Sequence, residues 1–307
     1  MSMIKRIEYL EELKKWKDKD LIKVVTGIRR CGKSTLLELF IEYLKEEKID
    51  EEHIVSINLE SLEYNFSNYK DLYFYVVSKI KEDKKYYVFL DEIQNIEGFQ
   101  KAVDIYITGS NAFLLSGELA TLLTERYVEI KMLPLSFKEY VSAFSGKYNY
   151  QSLFLEYMKN GGMHGIISVL DLGINDINKY LDSIFSTVVF KDIMARNKIT
   201  DKTILENIIK FILENIVYLE LLRRGYRVYV GKIDDLKIDF VAENQGGLKY
   251  FQVSLTVRDA KVLERELRSL QRTGDHYPKY LITMDMDLSS DYDVITKINV
   301  IDWLLEK

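Results

Sequence analysis

Eight consecutive residues, Gly27-Ile28-Arg29-Arg30-Cys31-Gly32-Lys33-Ser34, have the types and spacing to grip a phosphate chain. The glycines let a loop turn tightly and bring backbone N–H groups close to an anion, and a helix N-terminus adds to the attraction. Lys33 is placed to bridge β and γ phosphates, and the Ser34 hydroxyl to ligate Mg²⁺. This chemistry needs a buried strand before the loop and a helix after it. Leu21, Ile22, Val24 and Val25 supply the strand pattern, and Ser34 to Tyr43 the helix pattern. Gly27 to Thr35 are therefore the expected nucleotide-binding residues.

Three further places carry chemistry. Tyr86 to Glu92 is an apolar run ending in Asp91 and Glu92. Apolar strands ending in acids are common, but one that follows a phosphate loop reads as a Walker B strand. In that role Asp91 holds Mg²⁺ and Glu92 polarises the attacking water. The strand Ile105 to Gly109 leads into Ser110-Asn111, where Asn111 is read either as a sensor of the γ-phosphate or as a helix N-cap. Arg126 directly precedes the strand Tyr127 to Met132. It is read either as an arginine finger reaching a neighbouring subunit's nucleotide, which requires a homo-oligomer, or as a surface residue.

The elements that must position these groups alternate between strand and helix. Ile4 to Trp16 reads as an amphipathic helix, His53 to Leu59 as a strand and Tyr69 to Lys81 as a helix. With the loop strand and the two acidic and polar-tipped strands, this predicts a mostly parallel sheet with helices on both faces. In such a sheet neighbouring strands offer their C-terminal ends to one crevice, where the two Walker segments would meet.

Composition bounds the rest. The chain has 307 residues, 47% hydrophobic and 30% charged, with a formal net charge of −5. That supports large cores in more than one domain and gives no global basic character for nucleic acid. The single cysteine, Cys31, excludes a disulfide framework and suits a reducing cytoplasm. Within the loop it is read as a small inert residue. No apolar run is long enough to span a membrane, and the N-terminus lacks a secretory apolar segment. His53, His164 and His276 are far apart and show no metal-ligand spacing.

The phrases GIRRCGKST, YVFLDEIQ, ITGSNAFLL and RYVEIKMLPLSFKEY resemble the prokaryotic AAA-type ATPases that pair AAA domain 14 with a C-terminal DUF4143 nuclease-like domain. The resemblance is strongest over residues 1–140. It implies a P-loop AAA-type core of five parallel strands, ATP with Mg²⁺, and the sensor and finger roles for Asn111 and Arg126. Asn160 to Met163 and Ser186 to Ile193 are similar to the family's helical lid. The chain departs from the family in two connections. The crossover from Glu92 to Ile105 is close to the shortest that can hold a helix. The family's winged-helix module between lid and C-terminal domain has no counterpart before Ile204 to Arg223. Glu125 also replaces the glycine usual before the arginine, and its carboxylate could pair with Arg126.

The remaining chain reads as a second α/β domain. Glu214 to Arg224 has a helix pattern. Strands follow at Tyr226 to Val230, Lys237 to Ala242 and Lys249 to Val253, then a helix at Val257 to Leu270 and a strand at Tyr280 to Thr283. This order resembles restriction-endonuclease-like cores, which need an acid on the first helix, an Asp on the second strand and an acid-x-Lys on the third. Glu214 and Asp239 match, but Gln252 and Ser254 stand in place of the acid and the lysine. The expected domains are a P-loop ATPase over 1–140, a lid and connector over 141–205 and a degenerate nuclease-like domain over 206–307. The first functional expectation is an ATP-hydrolysing protein whose C-terminal domain serves binding or assembly. The alternatives are a DNA-interacting or nuclease protein with ATP as a switch, and a nucleotide-gated scaffold.

Overall fold

The computed structural model describes residues 4–61, 63–64, 66, 69–81, 84–91, 104–110, 127–144, 149–169, 202–286 and 290–306. The chain divides into two compact units. One is Met1–Leu135 with Met163–Ile167, the other Ser136–Gly162 with Ser168–Lys307.

The first unit is built on helices α1 (Ile7–Trp16), α2 (Lys33–Glu46) and α3 (Tyr69–Lys79). Its strands are β1 (Ile22–Gly27), β2 (Ile54–Asn58), β3 (Tyr87–Asp91), β4 (Asp104–Ser110) and β5 (Tyr127–Met132). The strands form one sheet in the order β2-β3-β4-β1-β5, with every pairing parallel. Its central strands are apolar on both sides, as a sheet covered on two faces requires. Val24, Val88, Leu90, Ile105 and Ile107 pack with Leu72 of α3 on one face. Val25, Phe89, Tyr106 and Ile130 pack on the other with Leu13 of α1 and Leu36, Leu37 and Phe40 of α2. Tyr106 anchors that second core, its ring 4.9 Å from both Phe40 and Phe89. Burying such an aromatic side chain contributes about 1.5–3 kcal/mol.

One expectation needs correction. The loop strand β1 and the acid-tipped strand β3 are not neighbours, because β4 lies between them and pairs with both. Their C-terminal ends still open on the same edge of a parallel sheet, with the tip of β4 between them.

In the second unit, α4 (Phe137–Ser142) and α5 (Tyr150–Asn160) pack through Phe137 on Phe154 at 5.1 Å and Tyr140 on Tyr157 at 5.3 Å. The start of α4 is fixed by a capping box, in which the Glu139 N–H donates to Ser136 and the Ser136 N–H to Glu139. A short turn α6 (Ile166–Val169), whose first two residues belong to the first unit, precedes in sequence the long helix α7 (Lys202–Arg223). Then come β6 (Arg227–Ile233), β7 (Leu236–Asn244), β8 (Gly247–Ser254), α8 (Ala260–Gln271), β9 (Lys279–Thr283), β10 (Ser290–Tyr292), β11 (Ile295–Asn299) and α9 (Val300–Leu305). The helix and strands expected from Glu214 onward are present. The sequence reading missed β10, β11 and α9; the two strands extend the sheet to six, in the order β10-β11-β9-β8-β7-β6. Its pairings are mixed: β8 with β9 and β9 with β11 are parallel, and the others antiparallel. Among the described residues no helix is long and apolar enough to cross a membrane.

Candidate nucleotide site

At the end of β1 the chain enters the loop, and α2 begins directly at Lys33. Two glycines are required by the space around them. A Cβ on Gly27 would lie 2.7 Å from the Cys31 Sγ and 2.7 Å from the Met132 carbonyl. Gly32, at the N-cap of α2, has φ 96°, and a Cβ there would come within 3.0 Å of the His164 ring. His164 thus forms a wall of the loop, a role its isolated position in the sequence did not reveal. Arg30 also holds a left-handed conformation, φ 66°.

Lys33 is 4% exposed, and its ammonium donates to the carbonyls of Gly27 and Ile28, both at 3.3 Å. The Ile28 carbonyl also accepts from the Cys31 N–H at 3.3 Å, closing the loop into a tight turn. Cys31 is fully buried, and burial pushes its thiol above the usual range. A protonated, inaccessible sulfur is inert, so its part is packing under Gly27. Ile28, Arg29 and Arg30 form the exposed side of the loop, and Arg29 lies 3.8 Å from Glu60.

Asp91 ends β3 and is 9% exposed. The fully buried Thr108 of β4 donates its hydroxyl to the Asp91 carboxylate. Thr108 also pairs in register with Val25, two residues before Gly27. It therefore connects the two halves of the site through the interposed strand. Sequence reading passed over it for Asn111, although a buried hydroxyl beside an acid-tipped strand was the available signal. Glu92, Asn111 and Arg126 lie outside the described residues, as do Ser186 to Ile193.

The residues present fit a nucleotide with Mg²⁺. A glycine loop feeding a helix N-terminus presents N–H groups to an anion. The Ser34 hydroxyl and the Asp91 carboxylate are hard oxygen donors of the kind Mg²⁺ takes.

The second unit's acids are arranged differently. Asp239 is 3% exposed, accepts from the Val253 N–H at 2.9 Å and pairs with Lys237 at 3.3 Å. Gln252 is committed on both ends. Its carbonyl accepts from the Asp239 N–H at 3.3 Å and from Ser269 at 3.4 Å, and its amide donates to Glu266 at 2.8 Å. The Ser254 hydroxyl donates to the Thr256 carbonyl at 3.1 Å. Burial and the nearby Asp239 charge raise the Glu214 carboxyl, although Lys210 and Lys237 pull it down.

A parallel sheet that delivers a glycine loop and its lysine to a helix N-terminus, with a buried acid two strands away, defines a P-loop ATPase fold. Residues 19–141 match the family described as AAA domain, namely AAA domain 14. A Haemophilus influenzae protein described as uncharacterized is 33% identical over an alignment covering 99% of this chain and 99% of that protein. The chain belongs to one family with this relative, and its residues 19–141 place it among the AAA-type ATPases. That alignment runs over 403 positions against the chain's 307 residues, so the relative carries stretches with no counterpart here. A Methanocaldococcus jannaschii protein, also described as uncharacterized, is 30% identical over 203 residues, 58% of this chain and 43% of its own length. Among solved structures, a Walker-type ATPase of Pyrococcus abyssi aligns with a TM-score of 0.38 and 16% identity, covering 72% of this chain and 75% of that one.

Proposed function

We propose that the chain binds ATP with Mg²⁺ and hydrolyses it, as a cytoplasmic ATPase whose C-terminal domain serves binding or assembly. The observation that carries this reading is the buried Lys33 ammonium curled over the Gly27 and Ile28 carbonyls at the start of α2. An ammonium held by loop carbonyls is positioned within the loop that would wrap the phosphates. Gly27 to Thr35 would wrap the phosphates, with Lys33 against the β and γ oxygens. Ser34 and Asp91 would hold Mg²⁺, which when bound neutralises charge developing on the phosphates. Thr108 fixes the orientation of the Asp91 carboxylate through its hydroxyl. Glu92, one residue beyond β3, would orient the attacking water and accept its proton. Asn111 would sense the γ-phosphate, and Arg126 would reach the nucleotide of a neighbouring copy in a homo-oligomer.

For the C-terminal part, we infer a DUF4143-type, restriction-endonuclease-like domain that has lost its chemistry. The helix, three strands, helix, strand succession from α7 to β9 supports the kinship. The bonds of Gln252 and Ser254 support the loss, since neither side chain can act as the water-activating lysine. The proposed division remains an ATPase domain over 1–140, a lid and connector over 141–205 and this domain over 206–307.

The test is a pair of variants in a steady-state phosphate-release assay with ATP titrations. Lys33→Ala should abolish binding, and Glu92→Gln should keep binding while blocking turnover. Unchanged hydrolysis in Glu92→Gln would overturn its catalytic assignment.

A further inference from the structure

Arg6 stands just ahead of α1, far in sequence from the loop, yet it is 1% exposed. Its guanidinium divides between two backbone carbonyls: Nη1 donates to Cys31 at 3.0 Å, inside the phosphate loop, and Nη2 to Leu133 at 2.8 Å, just past β5. The planar fork of arginine suits this bridging, whereas a lysine ammonium presents one donor centre. The guanidinium also lies 4.7 Å over the Tyr9 ring, and the Tyr9 hydroxyl accepts from the Leu133 N–H at 3.1 Å. Arg6 holds a left-handed backbone, φ 44° and ψ 48°, which a residue with a side chain adopts at a cost. That conformation is kept where the surrounding contacts fix it.

The consequence lies in the Cys31–Gly32 peptide. In a planar trans peptide the carbonyl and the following N–H point to opposite sides. With the Cys31 carbonyl drawn to Arg6, the Gly32 N–H points away from the Arg6 side. Gly32 is the N-cap of α2, and the same turn carries Lys33. We infer that Arg6 is a positioning residue for the phosphate loop, fixing the Cys31–Gly32 peptide so that its N–H faces the bound nucleotide's phosphates. Through the Leu133 carbonyl it also ties this setting to the end of β5, so α1 acts as a brace on the loop. The inference rests on reading the loop as an ATP site.

A loop N–H that contacts phosphate in ground and transition states contributes uniform binding, which alters KM more than kcat. Arg6→Lys keeps the charge and loses the fork; it should raise the KM for ATP about tenfold while kcat stays within about twofold. Tyr9→Phe removes the neighbouring bond to Leu133 but leaves Arg6, and should keep KM within about twofold of the parent protein. Both are measured well below their unfolding temperatures, alongside direct titration with a fluorescent ATP analogue. Unchanged KM and analogue affinity in Arg6→Lys, with a parent protein that binds ATP and a Lys33→Ala variant that does not, would overturn the Arg6 role alone. No binding by the parent protein would overturn the ATP reading itself. If Arg6→Lys does not fold, hydrogen exchange on the parent protein decides. Saturating ATP should slow exchange across Arg6 to Leu13, because coupling between brace and loop is reciprocal. Exchange there that ATP leaves unchanged would overturn the inference.

Discussion

Asp91 and Asp239 are both buried acids on sheet strands, in different units, and their surroundings differ. Asp91 stands at the C-terminal tip of a parallel strand, braced by a hydroxyl from the next strand. Asp239 lies within β7, where neither neighbouring strand gives it a register partner; its N–H donates to the Gln252 side chain and its carboxylate is held by the Val253 N–H and Lys237. A carboxylate at a strand tip can meet a ligand, whereas one engaged by a neighbouring N–H and an ion pair is already committed within its own unit. On the proposed reading, the same residue type would meet a ligand in one unit and serve the fold in the other.

The largest effect that would sharpen this comparison comes from Lys33→Ala, which should weaken ATP binding at least about 100-fold, roughly 2.7 kcal/mol, in a calorimetric titration. Next, Asp239→Ala should leave the Val253 N–H and Lys237 without their carboxylate and destabilise the protein by about 2–3 kcal/mol in denaturant unfolding. Its ATP hydrolysis per folded molecule should not change. A metal-dependent nuclease activity that this variant abolished would break the comparison. Thr108→Val keeps the shape and removes the hydroxyl; it should lower ATP turnover about tenfold by freeing the Asp91 carboxylate, with a smaller effect on stability. Turnover equal to the parent protein would show that Asp91 needs no brace.

The smallest effects are in the pH dependence of stability, where acids of the two units differ in sign. Burial raises the Asp18 carboxyl, but hydrogen bonds from Lys85, Tyr87 and Lys17 more than reverse this and bring it to about 2. Its folded-state value is depressed, so its stabilisation is present above about pH 4 and is lost as pH falls toward 2. Glu214 is raised by burial and by the Asp239 charge, so it binds its proton more tightly when folded. Its contribution therefore falls as pH rises through its ordinary value and beyond. In thermal melts Asp18→Asn should lower the melting temperature at pH 6 and match the parent protein near pH 2. Glu214→Gln should raise it slightly at pH 7 and have no effect near pH 3. A destabilising Glu214→Gln at pH 7 would mean that its charge is used.

The parts legible in the sequence were those with local signatures. Gly27 to Ser34 announces itself because loop, cation and helix start are contiguous, and β5 falls where its alternation placed it, Tyr127–Met132. Contacts made at long range were not legible. Arg6 sits beside Lys5 with no local mark to distinguish a buried fork from a solvated charge, and its partners are 25 and 127 residues away. The placement of β4 between β1 and β3 is a choice of strand order, which period-two patterns do not encode. Of the last elements, β10 and α9 escaped because they have three and six residues, too short for a periodic signal.

The central claim, that the chain's nucleotide chemistry resides in the first unit's crevice while the second unit's acid is structural, is tested most directly by titrating Mg²⁺·ATP into the parent protein, Lys33→Ala and Asp239→Ala. The parent protein and Asp239→Ala should bind with equal affinity, and Lys33→Ala should not bind. Retained binding in Lys33→Ala, or its loss in a folded Asp239→Ala, would contradict the account.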